Sequence, residues 1–256
     1  MEFDFTLSKY NELCATISNS EFVSLTVEKY LSGQNPQKFI IIRHDVDTIT
    51  ENAFTMAQIE NQQCLTSTYY FRSNAIAHPK ILKKIAELGH EVGYHYEVLD
   101  KAKGDYEKAI EIFKKELVEF RKIVDVKTVC MHGNSLTPYD IKDLWKFHDF
   151  NKFDIIGEAY LSIDFYNVIY FSDTGRRWDG IKYRVKDIVD VIHPYSTNLR
   201  HTDDIIRLIK SGEIDHIYIL VHPARWSDQF GAWLKELVWQ NVKNMGKAIL
   251  VKRLSS

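Results

Sequence analysis

The sequence predicts an α/β fold, a distorted (β/α) barrel with seven or eight mostly parallel strands and two N-terminal helices in front. Two observations lead there. Short β-rich runs alternate with helical stretches long enough to serve as crossovers, which implies parallel pairing. The titratable residues of those runs gather at their carboxyl ends, the rim on which parallel sheets and barrels bind ligands.

The elements follow in chain order. Residues 8–31 read as two helices, with Leu13, Ile17, Phe22, Leu25 and Leu31 at three- and four-residue spacings before Gly33. They belong to a helical N-terminal extension, residues 1–37, of a single expected domain over residues 1–256. Eight β-rich runs come next: FIIIRHD (39–45), TSTYYFR (66–72), EVGYHY (91–96), TVCMH (128–132), DIIGEAY (154–160), VIYFSD (168–173), DVIHP (190–194) and IYILVHP (217–223). Helical patterns occupy 49–62, 79–88, 105–123, 139–148, 202–210 and 228–245. In the last of these, Trp233, Leu234, Leu237, Val238 and Trp239 form a stripe of helical spacing, expected to pack on the core. The five Pro and eleven Gly are scattered, and no repeat or low-complexity tract marks a linker.

Composition bounds the function. The 256 residues are 45% hydrophobic and 27% charged, enough to fill the core of one large α/β domain. With a net charge of −2 and no tract of interleaved basic and aromatic residues, nucleic acid is not an expected partner. MEFDFTLSKY lacks the basic and apolar segments of an export signal, and no stretch reaches about 18 consecutive apolar residues, so no transmembrane segment and a cytoplasmic location are expected. Cys14, Cys64 and Cys130 are an odd, widely spaced set without C-x-x-C, which suits a reducing compartment.

The stretch RHDVD (43–47) places Arg43, His44, Asp45 and Asp47 directly behind the apolar run Phe39 to Ile42. Charge at the end of a buried strand needs partners, water or a metal. The other runs close in the same way, on Arg72, His95 and Glu97, His132, Glu158, Asp173, His193 and His222. A single His or Asp at a strand end is ordinarily a turn residue or a helix cap. The same habit at every run points to a site. Arg43 and His44 are expected to orient the carboxylates and hold them ionised, bordering the substrate together with Arg72 and Glu97. DTGRRW (173–178) and HPARW (222–226) set basic beside aromatic side chains. Aromatic faces stack on sugar rings and arginine forks grip carboxylates or phosphates, so Arg176, Arg177, Trp178, Arg225 and Trp226 are further candidates for substrate binding. A structural salt bridge from Asp173 to Arg176 or Arg177 is the alternative.

The order D-x-D (45–47), GHEVGYH (89–95), MHG (131–133) and ILVHP (219–223) resembles the polysaccharide deacetylase family, carbohydrate esterase family 4, over about residues 38–226. The resemblance implies a distorted barrel holding a divalent metal, usually zinc. It implies Asp45 as catalytic base, Asp47 and His95 as metal ligands and His222 as the acid that protonates the leaving amine. The family's second ligand His falls four residues after His95, and that position is Leu99 here. A catalytic zinc wants three protein ligands and an open position, and His132 is the candidate third, with Glu97 and Asp100 behind it. The family's Arg-x-x-Pro segment is replaced by MHGNSLTPYD. Backbone N–H groups near His132 and Gly133 are the expected oxyanion donors. The implied activity is a metal-dependent carbohydrate N-deacetylase with Zn2+ as cofactor. Its substrate would be an N-acetylated sugar, nucleotide sugar or glycan intermediate, in polysaccharide biosynthesis. A metal-free amide hydrolase, or a non-catalytic saccharide-binding protein on the same fold, is the alternative.

Overall fold

Thr6 and Thr26 start the first two helices by one device. Each hydroxyl accepts the backbone N–H three residues on, at 3.1 Å, satisfying a donor that the helix start leaves unpaired. These caps open α1 (Leu7–Ser18) and α2 (Val27–Leu31). Between the helices lies a strand, β1 (Val23–Leu25), which pairs with residues 39–41. The two helices expected over 8–31 are present, but the strand between them was not expected, because cross-strand pairing leaves no trace in local spacing. The computed structural model describes residues 3–48, 50–134, 137–178, 186, 189, 191, 193–196 and 199–254. The chain continues through β2 (Phe39–Val46), α3 (Thr50–Gln62), β3 (Thr68–Phe71), α4 (Pro79–Glu87), β4 (Glu91–Tyr96), α5 (Val98–Lys101), α6 (Tyr106–Arg121) and β5 (Thr128–Met131). It closes with α7 (Leu144–Phe147), β6 (Gly157–Glu158), β7 (Ile169–Ser172), α8 (Thr202–Ser211), β8 (His216–Val221) and α9 (Phe230–Leu254).

All ladders are parallel, in the order β6-β5-β4-β3-β2-β8-β7. β8 runs along one flank of β2, and the other flank is shared by β1 at its start and β3 at its end. Among the described residues no ladder joins β6 to β7. Instead the Tyr160 and Tyr170 rings meet there at 6.4 Å, and Phe165 packs on Tyr170 and Tyr218. The result is the expected distorted barrel, curled but open on one side. The run expected as a strand over 190–194 lies partly outside the described residues, at Asp190 and Ile192, and Pro194–Ser196 form a 3-10 turn.

Strand alternation decides which residues face the barrel interior. Asp45 is in register with Tyr70, and Tyr70 with Gly93, so these point inward together. Gly93 is required there, since a Cβ would stand 2.4 Å from the Tyr70 ring and 2.9 Å from the Thr128 carbonyl oxygen. The alternate residues Ile40, Ile42 and His44 point outward, the two isoleucines into a core built with Tyr10, Leu13 and Ile17 of α1 and Ile205, Ile206 and Ile209 of α8. Each large apolar side chain buried there is worth about 1.5–3 kcal/mol, which anchors the outer helices to the sheet.

α9 departs from its expected packing. Trp233 and Leu237 are half-buried, whereas Leu234, Val238 and Trp239 are exposed. Helical spacing defines a stripe but not the side of the helix that meets the protein. Among the described residues no helix is long and apolar enough to cross a membrane.

Candidate active site

Four strands deliver the site. β2 carries Arg43 and Asp45 on its inner face and Asp47 just beyond its end, β4 carries His95, and His132 and His222 directly follow β5 and β8. Asp47 Oδ1 lies 3.6 Å from His95 Nε2 and 3.6 Å from His132 Nε2. The two imidazoles stand nearly perpendicular, with centroids 5.2 Å apart. Asp47 Oδ1 is buried, with no hydrogen-bond partner among the described residues. A gap of 3.6 Å is too long for a hydrogen bond. It is close to the roughly 3.3–3.4 Å that separates ligands around a tetrahedral ion with 2.0–2.1 Å bonds. Two imidazoles and one carboxylate, all within 4.8 Å of one another, therefore fit a divalent cation of the zinc type.

The groups behind these atoms set their roles. His95 Nδ1 faces the Cys130 carbonyl oxygen at 3.1 Å. A carbonyl only accepts, so Nδ1 carries the proton and Nε2 presents its lone pair to Asp47. His132 Nδ1 faces Glu97 Oε2 at 3.5 Å, and Glu97 is held in turn by Arg72 at 2.5 Å and Lys101 at 3.4 Å. Asp45 is gripped at both oxygens by the Arg43 fork, at 2.7 and 2.6 Å. Arg43 is fully buried, its guanidinium 4.3 Å over the Tyr160 ring.

Charge is balanced tightly. Burial raises the Asp45 pKa, but Arg43 and then His95 more than offset it and hold the carboxyl below its usual range. Burial acts likewise on Asp47, where the close approach of His95 and the charges of His222 and His132 drive it far lower. For His95, burial lowers the pKa and the two aspartates raise it further, leaving it above normal. For His132, burial and the neighbouring His95 leave it below normal, as a ligand imidazole requires. A proton on His95 and a cation beside it answer the same carboxylates, so they compete.

His222 is fixed from behind by Asp173. Oδ1 meets His222 Nδ1 at 2.7 Å, and Oδ2 accepts the backbone N–H of His222 at 2.9 Å and the Trp226 indole N–H at 3.0 Å. The Arg225 guanidinium also donates to Oδ1. Burial raises the Asp173 pKa, and Arg225 and His222 reverse this to hold it well below the carboxylate range. With Nδ1 engaged, Nε2 is the ring atom left for proton transfer. His222 also stands near enough to help keep Asp45 and Asp47 ionised.

Several expected site residues lie elsewhere. His44 does not orient the site carboxylates, because alternation sends it to the outer face of β2. There its Nε2 is 2.7 Å from Glu60 Oε1, and its ring stacks on Tyr69. Trp178 and Trp226 have no exposed surface and cannot stack on a sugar. They pack around Phe5, and the Trp178 indole donates to the Thr202 hydroxyl at 3.2 Å. Arg176 is a structural bolt: its guanidinium lies over the Phe5 and Trp233 rings and donates to the Arg225 carbonyl at 2.9 Å. Arg177 is half-buried beside α9. The arginine on Asp173 is Arg225. His193 faces the Phe165 carbonyl oxygen, and Glu158 accepts the backbone N–H groups of Met131, Tyr160 and Leu161. Asp100 accepts the Thr137 hydroxyl at 2.7 Å. Leu99 is core, so no ligand comes from its position. The His132 N–H is spent on the Tyr96 carbonyl at 2.8 Å and is not an oxyanion donor. Sequence reasoning placed Asp173 at a strand end but missed it as the group that orients His222, because the pairing of its strand with β8 is set by tertiary structure. The Cys130 carbonyl behind His95 is backbone and left no signal.

No family model and no curated protein matches the chain. Among solved structures, it is similar to a CE4 family pseudoenzyme from Bacillus anthracis at 12% identity and a TM-score of 0.46. That match covers 82% of this chain and 62% of the other, so the chain spans less than two thirds of that protein's length. It is also similar to the catalytic domain of a peptidoglycan N-acetylglucosamine deacetylase from Eubacterium rectale, at 13% identity and a TM-score of 0.44 over 81% of this chain and 86% of that one. A further peptidoglycan N-acetylglucosamine deacetylase matches at 14% identity and a TM-score of 0.44, covering 90% of each chain.

Proposed function

We propose that this protein is a divergent metal-dependent carbohydrate N-deacetylase, hydrolysing the acetamide of an N-acetylated sugar, nucleotide sugar or glycan intermediate in polysaccharide biosynthesis. The observation that carries the reading is the convergence of Asp47 Oδ1, His95 Nε2 and His132 Nε2 on one point, with Asp45 Oδ2 3.7 Å from the same His95 nitrogen. A divalent ion held there supplies positive charge that acidifies water and polarises a carbonyl. Asp45, ionised and with lone pairs beyond those taken by Arg43, accepts the proton of the attacking water. His222, its Nδ1 held by Asp173, delivers a proton from Nε2 to the amine nitrogen as the C–N bond breaks, and acetate leaves. Glu97 keeps His132 turned toward Asp47, and Arg72 keeps Glu97 in place. The Gly133 N–H is the remaining backbone candidate for the oxyanion. An exposed free thiol at Cys64 supports a reducing compartment, the cytoplasm.

The test is metal content together with acetate release. Purified protein supplied with zinc should hold about one equivalent and Asp47→Ala should not; equal metal in both removes the reading. One observation favours the alternative of a saccharide-binding protein: a carboxylate forked at both oxygens by a buried arginine is a poor proton acceptor. In that case Asp45→Asn and His222→Ala leave sugar affinity intact and no acetate appears with the wild type.

A further inference from the structure

Both side chains that share Asp173 with His222 come from one short segment. The Arg225 guanidinium donates to Oδ1, and the Trp226 indole donates to Oδ2 at 3.0 Å. Behind that segment stands Phe5, which is 3% exposed. Its ring lies 5.0 Å from the Trp226 ring and 6.4 Å from the Trp178 ring, and its carbonyl oxygen accepts the Ser227 N–H at 3.2 Å. The Arg176 guanidinium, 4.9 Å over the same phenyl ring, donates to the Arg225 carbonyl oxygen at 2.9 Å. Phe5 thus backs residues 225, 226 and 227 at once, two of them directly and Arg225 through Arg176.

The neighbours of Phe5 fix it in turn. Asp4 is tied to the start of α8, one carboxylate oxygen accepting the Thr202 N–H at 3.0 Å and the other its hydroxyl at 2.5 Å. The Asp4 carbonyl oxygen accepts the Trp233 indole N–H of α9 at 2.7 Å. On the other side, Ser8 donates its N–H and its hydroxyl to the Asp228 carboxylate, at 3.0 and 3.1 Å. Phe5 itself has a φ of +59°, a left-handed backbone that bulky residues adopt only where their surroundings hold them there. Glycine would take this conformation without strain, so the ring is what the position requires.

We propose that Phe5 is a positioning residue for proton delivery by His222. Wedged against Trp226 and Arg176, it holds in place the two donors that fix Asp173, and through Asp173 the imidazole. The arm that carries it, residues 4–8, belongs to the N-terminal extension, so a segment outside the barrel sets the geometry of a group on the barrel's rim. The catalytic consequence rests on the reading of His222 as the proton donor, whereas the wedge itself does not.

Phe5→Leu keeps an apolar side chain but takes the aromatic ring away from Trp226 and Arg176. With zinc content and KM at their wild-type levels, kcat for acetate release should fall about tenfold. Adding Phe5→Leu to Asp173→Asn should cost no further rate, because both changes act through one group. The Trp226 indole N–H, followed by NMR, should exchange with deuterium faster by about tenfold, relative to the backbone amides of β4 that report global unfolding. A folded Phe5→Leu with wild-type kcat overturns the proposal, as does a loss that multiplies with that of Asp173→Asn. Zinc or KM changing along with the rate also overturns it, since Phe5 would then support the whole rim. If the wild type releases no acetate, the proton-donor reading fails by itself and indole exchange decides the wedge: faster exchange sustains it, and unchanged exchange overturns it in either case.

Discussion

Asp173 holds His222 twice, taking its ring Nδ1 at 2.7 Å on one oxygen and its backbone N–H at 2.9 Å on the other. Ring and main chain are thus fixed by one carboxylate, which sets the orientation of the imidazole.

Asp173→Asn should therefore lower the rate constant for acetate release by about 10^2 to 10^4, the range associated with a misdirected general acid, while metal content stays at the wild-type level. Measuring both on one preparation separates the two halves of the site. Metal lost along with rate would show that Asp173 supports the whole rim and not His222 alone.

Glu97 should tune the metal through His132. Glu97→Gln keeps the shape but removes the charge that faces His132 Nδ1 at 3.5 Å and anchors Arg72. Zinc affinity, read by competition with a chelator, should fall by about 10- to 100-fold, and the Arg72→Met variant should show a smaller loss. An unchanged affinity in Glu97→Gln would place His132 outside the ligand set.

The outer face of β2 makes a separate prediction about acid. Glu60, completely buried, accepts the hydroxyls of Tyr10, Ser67 and Tyr69 and meets His44 Nε2 at 2.7 Å. Burial raises its pKa, and the charge and hydrogen bond of His44 then bring it down to about 2. The folded value lies below the roughly 4.3 of an unfolded chain, so Glu60 contributes its full stability above about pH 4.3. That contribution is lost as pH falls through about 2. The difference corresponds to roughly 3 kcal/mol. In urea unfolding, the gap between wild type and Glu60→Gln should be widest near neutral pH and shrink steadily below pH about 4. A gap that does not move with pH would mean that the hydroxyl contacts, and not the charge, stabilise this cluster.

Much of the site was legible from strand ends. The run RHDVD, the segment GHEVGYH and the closing VHP each put a reactive residue where a parallel barrel gathers its ligands, and the structure brings Asp45, Asp47, His95, His132 and His222 to that rim. The parity of β2 was legible too: Arg43, Asp45 and Asp47 share one side of a strand, which excludes His44 by the same count. The identity of the partners was not. Asp173 on His222 and Glu97 on His132 join residues 49 and 35 positions apart, and no local pattern encodes such pairings.

What the sequence determined by itself is the alternation of strands and helices, the charged carboxyl ends and the helical spacing of α9, because hydrophobic period and residue type act over a few neighbours. The tertiary structure alone decided that β1 joins the sheet, that Trp178 and Trp226 are core and not cavity wall, and that α9 leaves Leu234, Val238 and Trp239 exposed. Each of these depends on which distant surface a residue meets. A period fixes which residues share a face, but only packing fixes where that face points.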